Sequence, residues 1–197
     1  LGEHRTAWPA VSDLLFIKVA TGIGAGIISD GVLQRGAQGV AGDIGHIASP
    51  RAAGVHCRCG NTGCLEAIAS GAALVQQLRA EGADVTTSAQ VAALVRAGDV
   101  TAIRLVRQAG REIGSVLAVC VSVLNPSLIS IGGIVAEAGE HLLAGIREAV
   151  YSRSLPIATE HLRIVGSRTQ ASAGILGASA MAVDHVLSPR AIDAHIQ

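Results

Sequence analysis

The stretch Leu14-Leu15-Phe16-Ile17-Lys18-Val19-Ala20, continued by Thr21-Gly22-Ile23-Gly24-Ala25-Gly26 and Ile27-Ile28-Ser29-Asp30-Gly31, decides the architecture. Leu14 to Ala20 is apolar except at Lys18 and reads as a buried strand. Ile27-Ile28 reads as a second strand-like run beyond the glycines. Asp30-Gly31 supplies the positive φ angles of a tight hairpin, and Val32 to Arg35 would return. Gly36 to Gly45 is glycine-rich and reads as irregular.

Downstream the period changes. Leu65 to Ala80 and Ser88 to Arg96 have helical patterns. The longest helix is expected over Val100 to Leu124, with Ile103, Val106, Gly110, Ile113, Leu117, Val121 and Leu124 on one stripe. Asn125-Pro126 stops it, because the residue before proline is pushed out of the helical region. Leu128 to Ile131 reads as a strand ending in Gly132-Gly133. Helix is expected over Glu140 to Ser152, strand over Leu162 to Val165, and a final helix over Ala173 to Leu187. Strands first, then helices alternating with single strands, make the class α/β.

The 197 residues are enough for one domain, and half of them are apolar. Phe16, Trp8 and Tyr151 are the three aromatic residues, so small aliphatic side chains carry the packing. Net charge is zero. A nucleic-acid surface usually shows a basic excess and stacking aromatics, so this chain is not expected to hold DNA by itself. No apolar run is long enough to span a bilayer and no signal peptide is present, which gives a cytoplasmic expectation. The first residue is Leu1, in a helix-like start Leu1-Gly2-Glu3-His4-Arg5, and the chain is expected to be a piece of a longer protein.

Three of the four cysteines crowd between Cys57 and Cys64, which favours a metal over a disulfide framework. His46, Cys57, Cys59 and Cys64 make a closed tetrahedral zinc set with no open position for water, so the zinc is expected to be structural. Gly60 and Gly63 allow the tight folding between the sulfurs. His56 competes for the fourth place, but adjacency to Cys57 strains that arrangement. The plain alternative is buried thiols and a core histidine. Cys120 falls on the apolar side of the long helix and reads as core. His4, His141, His161, His185 and His195 are scattered and read as surface residues.

The run Cys57-Arg58-Cys59-Gly60-Asn61-Thr62-Gly63-Cys64-Leu65-Glu66, with Asp43-Ile44-Gly45-His46 and the glycine-rich hairpin upstream, resembles the ROK family of bacterial repressors and sugar kinases. Leu124-Asn125-Pro126 leading to Ile131-Gly132-Gly133, and Ala173 to Ala178, are similar to it as well. The resemblance implies an actin-like, ribonuclease-H-like sugar kinase fold, with residues 1–197 forming mainly the second, C-terminal lobe. The first lobe, its phosphate loop, the catalytic aspartate of the kinases and any DNA-binding head would lie upstream of Leu1. No catalytic residue is then expected within this chain.

By the same resemblance Asp43, His46 and Glu66 would bind a sugar, His46 giving one ring nitrogen to zinc and the other to a sugar oxygen. Plain alternatives are a loop aspartate at Asp43 and a helix-start carboxylate at Glu66. Family kinases carry Glu where Asp43 stands, and the shorter side chain leans the expectation toward a regulator. Thr21, Gly22 and Gly24 would present backbone amides to a phosphate, and Gly132 and Gly133 would face a nucleotide; a glycine hairpin that merely allows close packing is the alternative. The expected function is the sugar-sensing, dimeric or tetrameric core of a transcription regulator that meets DNA through an upstream domain. The rival is an ATP-dependent sugar kinase of glucokinase or fructokinase type, and the bland third reading is a dimerisation core without a ligand.

Overall fold

The computed structural model describes residues 1–196. The side chains of residue 190 and of residues 194–196 fall outside the described ones, and the surface reading of His195 falls there. In chain order the elements are α1 (Gly2–Ala7), β1 (Leu14–Val19), β2 (Ile23–Ser29), β3 (Val32–Gln34), α2 (Glu66–Ala69), α3 (Gly71–Ala80), α4 (Ser88–Arg96), α5 (Val100–Leu124), β4 (Leu128–Gly132), α6 (Glu140–Arg153), α7 (Pro156–Thr159), β5 (Arg163–Gly166), α8 (Ala173–Val186) and α9 (Pro189–Ile196).

The five strands form one sheet in the order β3-β2-β1-β4-β5. β1, β2 and β3 make an antiparallel meander, while β4 and β5 join parallel to β1. The turn between β2 and β3 has φ of 50° at Asp30 and 73° at Gly31, as a type I′ hairpin requires. β4 is buried at every position, which suits a parallel strand covered on both faces.

One sheet face carries Leu15, Ile17, Val19, Ile129 and Ile131 into the main core beneath α3 to α6. The other gives Leu14, Ile28 and Leu128 to a smaller cluster around Trp8, beside α1. α5 starts where Asp99 accepts the Ala102 N–H at 2.8 Å and ends at Asn125, whose φ of 43° is left-handed. It packs on α6 almost backbone to backbone: a Cβ on Gly110 would stand 2.4 Å from the Leu142 carbonyl, and one on Gly145 2.2 Å from the Arg107 carbonyl. α4 begins in a capping box between Thr87 and Gln90. No helix among the described residues is long and apolar enough to cross a membrane.

Four sequence expectations need correction. β2 begins at Ile23, not Ile27, so Gly24 and Gly26 are strand residues paired with Lys18 and Phe16. The helix expected over Leu65 to Ala80 breaks at Ser70, which turns extended and caps α3 by accepting the Ala73 N–H. The break brings the Gly71 N–H to the Ala20 carbonyl at 2.7 Å. The segment after the final expected helix forms α9. His4 is buried rather than superficial, and its Nε2 donates to the Val11 carbonyl at 2.8 Å. Cys120 is half-buried against the core, in line with its reading.

Candidate ligand cleft and metal loop

The outer edge of β2, before β3 begins, organises the site. Ile23 N–H donates to Glu66 Oε2 at 3.0 Å, and Ala25 N–H donates to the Gly42 carbonyl at 2.7 Å. Two amides of the glycine-rich segment are therefore already engaged. Close approach explains three glycines: a Cβ on Gly22 would lie 2.4 Å from Glu66 Oε2, one on Gly42 2.1 Å from the Ala25 carbonyl, and one on Gly45 2.4 Å from the Ile23 carbonyl. Any side chain there would push Glu66 or the loop off the strand.

Gly42 leads through Asp43 into a single 3-10 turn, Ile44–His46. Ile44 is buried, while Asp43 is exposed and His46 half-buried. His46 Nδ1 faces Cys57 Sγ at 3.7 Å, and its Nε2 lies 3.8 Å from Asp43 Oδ1. Cys59 and Cys64 sulfurs are also 3.7 Å apart. The donor atoms of His46, Cys57, Cys59 and Cys64 all lie within 4.8 Å of one another. Ligands at tetrahedral thiolate and imidazole bond lengths stand about 3.5–3.8 Å apart, so the two 3.7 Å separations fit a common ion.

The local fold brings these donors together. Gly60 N–H donates to the Cys57 carbonyl at 3.1 Å and Cys57 N–H to the Asn61 carbonyl at 2.8 Å. Gly60 and Gly63 have φ of 95° and 86°. His56 is exposed, pairs by backbone with Thr62, and stands outside the donor cluster. Burial, with Cys59 and Cys57 close by, pushes the Cys64 thiol up to about 12. The Asn61 backbone N–H holds the Cys59 thiol below its usual value. Three sulfurs this close cannot all ionise without a cation among them, so the donor set suits a metal ion.

Two connections tie the loop to the rest of the molecule. Ser49 Oγ donates to Glu112 Oε2 at 3.2 Å, and Arg51 Nε lies 3.1 Å from Glu112 Oε1, anchoring the loop on α5. Arg58, between two of the cysteines, reaches Glu66 Oε1 at 3.4 Å. Glu66 is the first residue of α2, and its Oε2 would stand 3.5 Å from a Cβ on Gly45, the residue before His46.

Thr21 and Gly22 form the turn between β1 and β2, and Gly24 lies within β2. Gly132 ends β4, and Gly133 follows with φ of 92°; a Cβ there would meet the Val19 carbonyl at 2.4 Å. Gly132 and Gly133 line a different hollow, with Gln170 and Glu137, from the one that Thr21, Gly22, Gly24 and Glu66 line. Gly133 also lines a third hollow, which shares Lys18 and Ala20 with the one at Thr21, Gly22 and Gly24.

Sequence reasoning missed Glu3. Its carboxylate accepts from Trp8 Nε1 and Ser130 Oγ at 3.0 Å, Ser167 Oγ at 2.7 Å, and the N–H groups of Arg168 at 2.9 Å and Thr169 at 3.0 Å; the Thr169 hydroxyl also donates. Burial opposes ionisation, but the donors, led by Thr169 and Arg168, outweigh it and bring the carboxyl to about 2. Sequence reasoning also missed Arg58, Arg51 and Glu112. Arg58 alone carried a local signal, since it lies inside the cysteine run.

The strand order and the helix layer are those of the actin-like sugar kinase fold, which solved structures share. A ROK family transcriptional regulator, described as a homolog of the E. coli MLC protein, matches with a TM-score of 0.82 at 32% identity, covering 90% of this chain and 48% of that one. A ROK family glucokinase from Streptomyces griseus, solved with glucose and AMPPNP, matches with a TM-score of 0.79 at 32% identity, covering 91% of this chain and 64% of that one. The xylose repressor of Caldicellulosiruptor bescii is 32% identical over 194 residues, 92% of this chain and 48% of that protein. The ROK family model matches residues 1–185, and the chain belongs to the ROK family. It spans about half the length of regulators such as the xylose repressor. Regulators and sugar kinases stand at equal identity among these relatives.

Proposed function

We propose that this chain is the sugar-binding, dimerising core of a ROK transcription regulator, with one structural zinc on His46, Cys57, Cys59 and Cys64. Thiolate and imidazole donors in a closed four-ligand set suit zinc over magnesium or calcium, which take oxygen ligands. Zinc held there would supply no chemistry to the ligand and would fix the orientation of His46, whose Nδ1 faces Cys57 and whose Nε2 lies toward Asp43. Asp43, His46 and Glu66 then bind sugar hydroxyls, which donate and accept together. In a longer parent protein the first lobe and a DNA-binding head precede Leu1, and sugar binding shifts the relation of the lobes and of the heads.

The observation that carries the regulator reading is Asp43. Its carboxylate lies 3.8 Å from His46 Nε2. It is one methylene shorter than the Glu expected of family kinases. The rival sugar-kinase reading draws on relatives such as the N-acetylmannosamine kinase of E. coli O1:K1, 34% identical over 188 residues.

The test uses the full-length protein. Metal analysis should give one zinc per chain, gel shifts with its own upstream DNA should respond to a sugar, and a coupled ATP assay should give no turnover. Robust sugar phosphorylation would establish the kinase reading instead, and zinc-free folded protein would end the metal assignment.

A further inference from the structure

The four donors of the cysteine loop are unequally sheltered. Cys57 and Cys64 are buried and His46 is half-buried, but Cys59 is exposed. The local fold explains the difference. Cys64 is drawn inward by its bridge to Ala48 and by the next residue, Leu65, which is fully buried. Cys59 leads instead into Gly60, Asn61 and Thr62, all three exposed. One sulfur of the set therefore meets solvent directly, and an accessible thiolate is the form that small oxidants attack.

A second sulfur is in place to resolve that attack. Cys64 Sγ stands 3.7 Å from Cys59 Sγ, against about 2.05 Å in a disulfide, so a closure of about 1.7 Å joins them. The turn between the two sulfurs has left-handed glycines at Gly60 and Gly63, and a Cβ on Gly60 would meet nothing within 4 Å. The turn thus has room to shift. Cys57 is a poorer partner. It is one residue from Cys59, so a bond between them would close a small, strained ring, and its own Sγ faces His46 Nδ1. Cys120, on α5, stands outside the donor cluster.

The same pair flanks the sugar site. Arg58 adjoins Cys59, Glu66 lies two residues beyond Cys64, and these two side chains meet at 3.4 Å. We propose that Cys59 and Cys64 form a redox switch: a hydroperoxide converts them to a disulfide, which frees the metal and loosens the sugar site. The proposal rests on the metal and sugar-site readings above and adds their regulation by an oxidant. The Cys59 thiolate takes one peroxide oxygen, which breaks the O–O bond, releases hydroxide and leaves a sulfenic acid. The Cys64 thiolate then attacks the Cys59 sulfur, forming the S–S bond and expelling a second hydroxide. Each thiolate gives up one electron, and the peroxide takes both. His46 and Cys57 alone remain as donors, and a closed zinc site needs four.

Hydrogen peroxide on the zinc-loaded, full-length protein tests it. Zinc should reach a colorimetric chelator in step with a Cys59–Cys64 disulfide in peptide mass spectra, one ion per disulfide. A thiol reductant with added zinc should reverse both. Glucose, N-acetylglucosamine and xylose are titrated by calorimetry before and after. The one that binds should lose about tenfold or more in affinity on oxidation, the scale of a hydrogen bond to a charged group. Cys59→His keeps four donors without the exposed sulfur, so it should hold its zinc through the same treatment. The disulfide map of the native protein decides the case even if that variant does not load. Zinc retained with the thiols reduced, a disulfide between another pair, or overoxidised Cys59 without a disulfide overturns the proposal. Sugar affinity unmoved by zinc release overturns the link to the sugar site. Protein without zinc before treatment ends the metal reading and the switch with it. Unchanged affinity in Glu66→Gln ends the sugar-site reading. Neither result resembles zinc-loaded protein that withstands peroxide.

Discussion

Glu3 and Glu66 are both carboxylates that hold a loop against the sheet, yet they are built differently. Glu3 is 1% exposed and receives hydrogen bonds from six donors on three segments of the chain. Glu66 has one backbone N–H and one guanidinium, whose own side chain is 70% exposed. A saturated carboxylate has no capacity left for a ligand and acts as a structural tie. An undersaturated one at the rim of a cleft keeps lone pairs for a hydroxyl. The number of donors already spent distinguishes the two carboxylates better than burial alone.

The largest effect that sharpens this contrast is on Glu3. Glu3→Gln keeps the shape but sets an amide among donors and removes the charge they favour. It should lower unfolding free energy by about 3 kcal/mol in denaturant titrations, the scale for a carboxyl brought from its ordinary value to about 2. A change under about 1 kcal/mol would break the contrast.

The same group sets a pH dependence. Its folded-state value is depressed, so its stabilisation is complete above the ordinary carboxylate range and is lost as pH falls toward about 2. Melting temperature should decline over that acid window in the native protein. The decline should be shallower in Glu3→Gln, and matching acid profiles would remove Glu3 as the cause.

Next in size is Glu66→Gln. Sugar binding in the full-length protein should weaken by about 1.5–3 kcal/mol, the range for a hydrogen bond to a charged group. Unchanged affinity in folded, zinc-loaded protein would make Glu66 a second structural tie. Smallest is Arg58→Ala. An exposed ion pair contributes about 1 kcal/mol or less, so thermal stability should hardly move. A loss comparable to that of Glu3→Gln would place Glu66 on the anchor side of the comparison.

What was legible in the sequence was local. The stripe from Ile103 to Leu124, stopped by Asn125-Pro126, predicts α5 because helix period and stop signal are neighbours in the chain. The cysteine spacing points to the donor cluster for the same reason, with His46 as the fourth member. The start of β2 was illegible because glycines are poor strand formers. Glu66 crowds Gly22 in the turn before the strand, while Gly24 and Gly26 within it leave space open. The break at Ser70 answers to Ala20 and Ser88, which lie far from it in sequence. The Glu3 hub was hidden most deeply. Apart from Trp8, its donors lie between 127 and 166 residues away, and no short window contains both ends.

The glycine contact between α5 and α6 bears on the stiffness of the helix layer. With carbonyls of one helix facing the Cα atoms of the other, no side chain lies at these points of closest approach to change rotamer and absorb a displacement. The pair behaves as a stiff lever, and its 25-residue arm is about 37 Å long. Glu112 fastens the cysteine loop near the middle of that arm. A tilt of about 3° about one end carries the other by about 2 Å over such a length. A small rearrangement at the loop would reach the far end of α5 as a translation, with no chain of repacked side chains needed between.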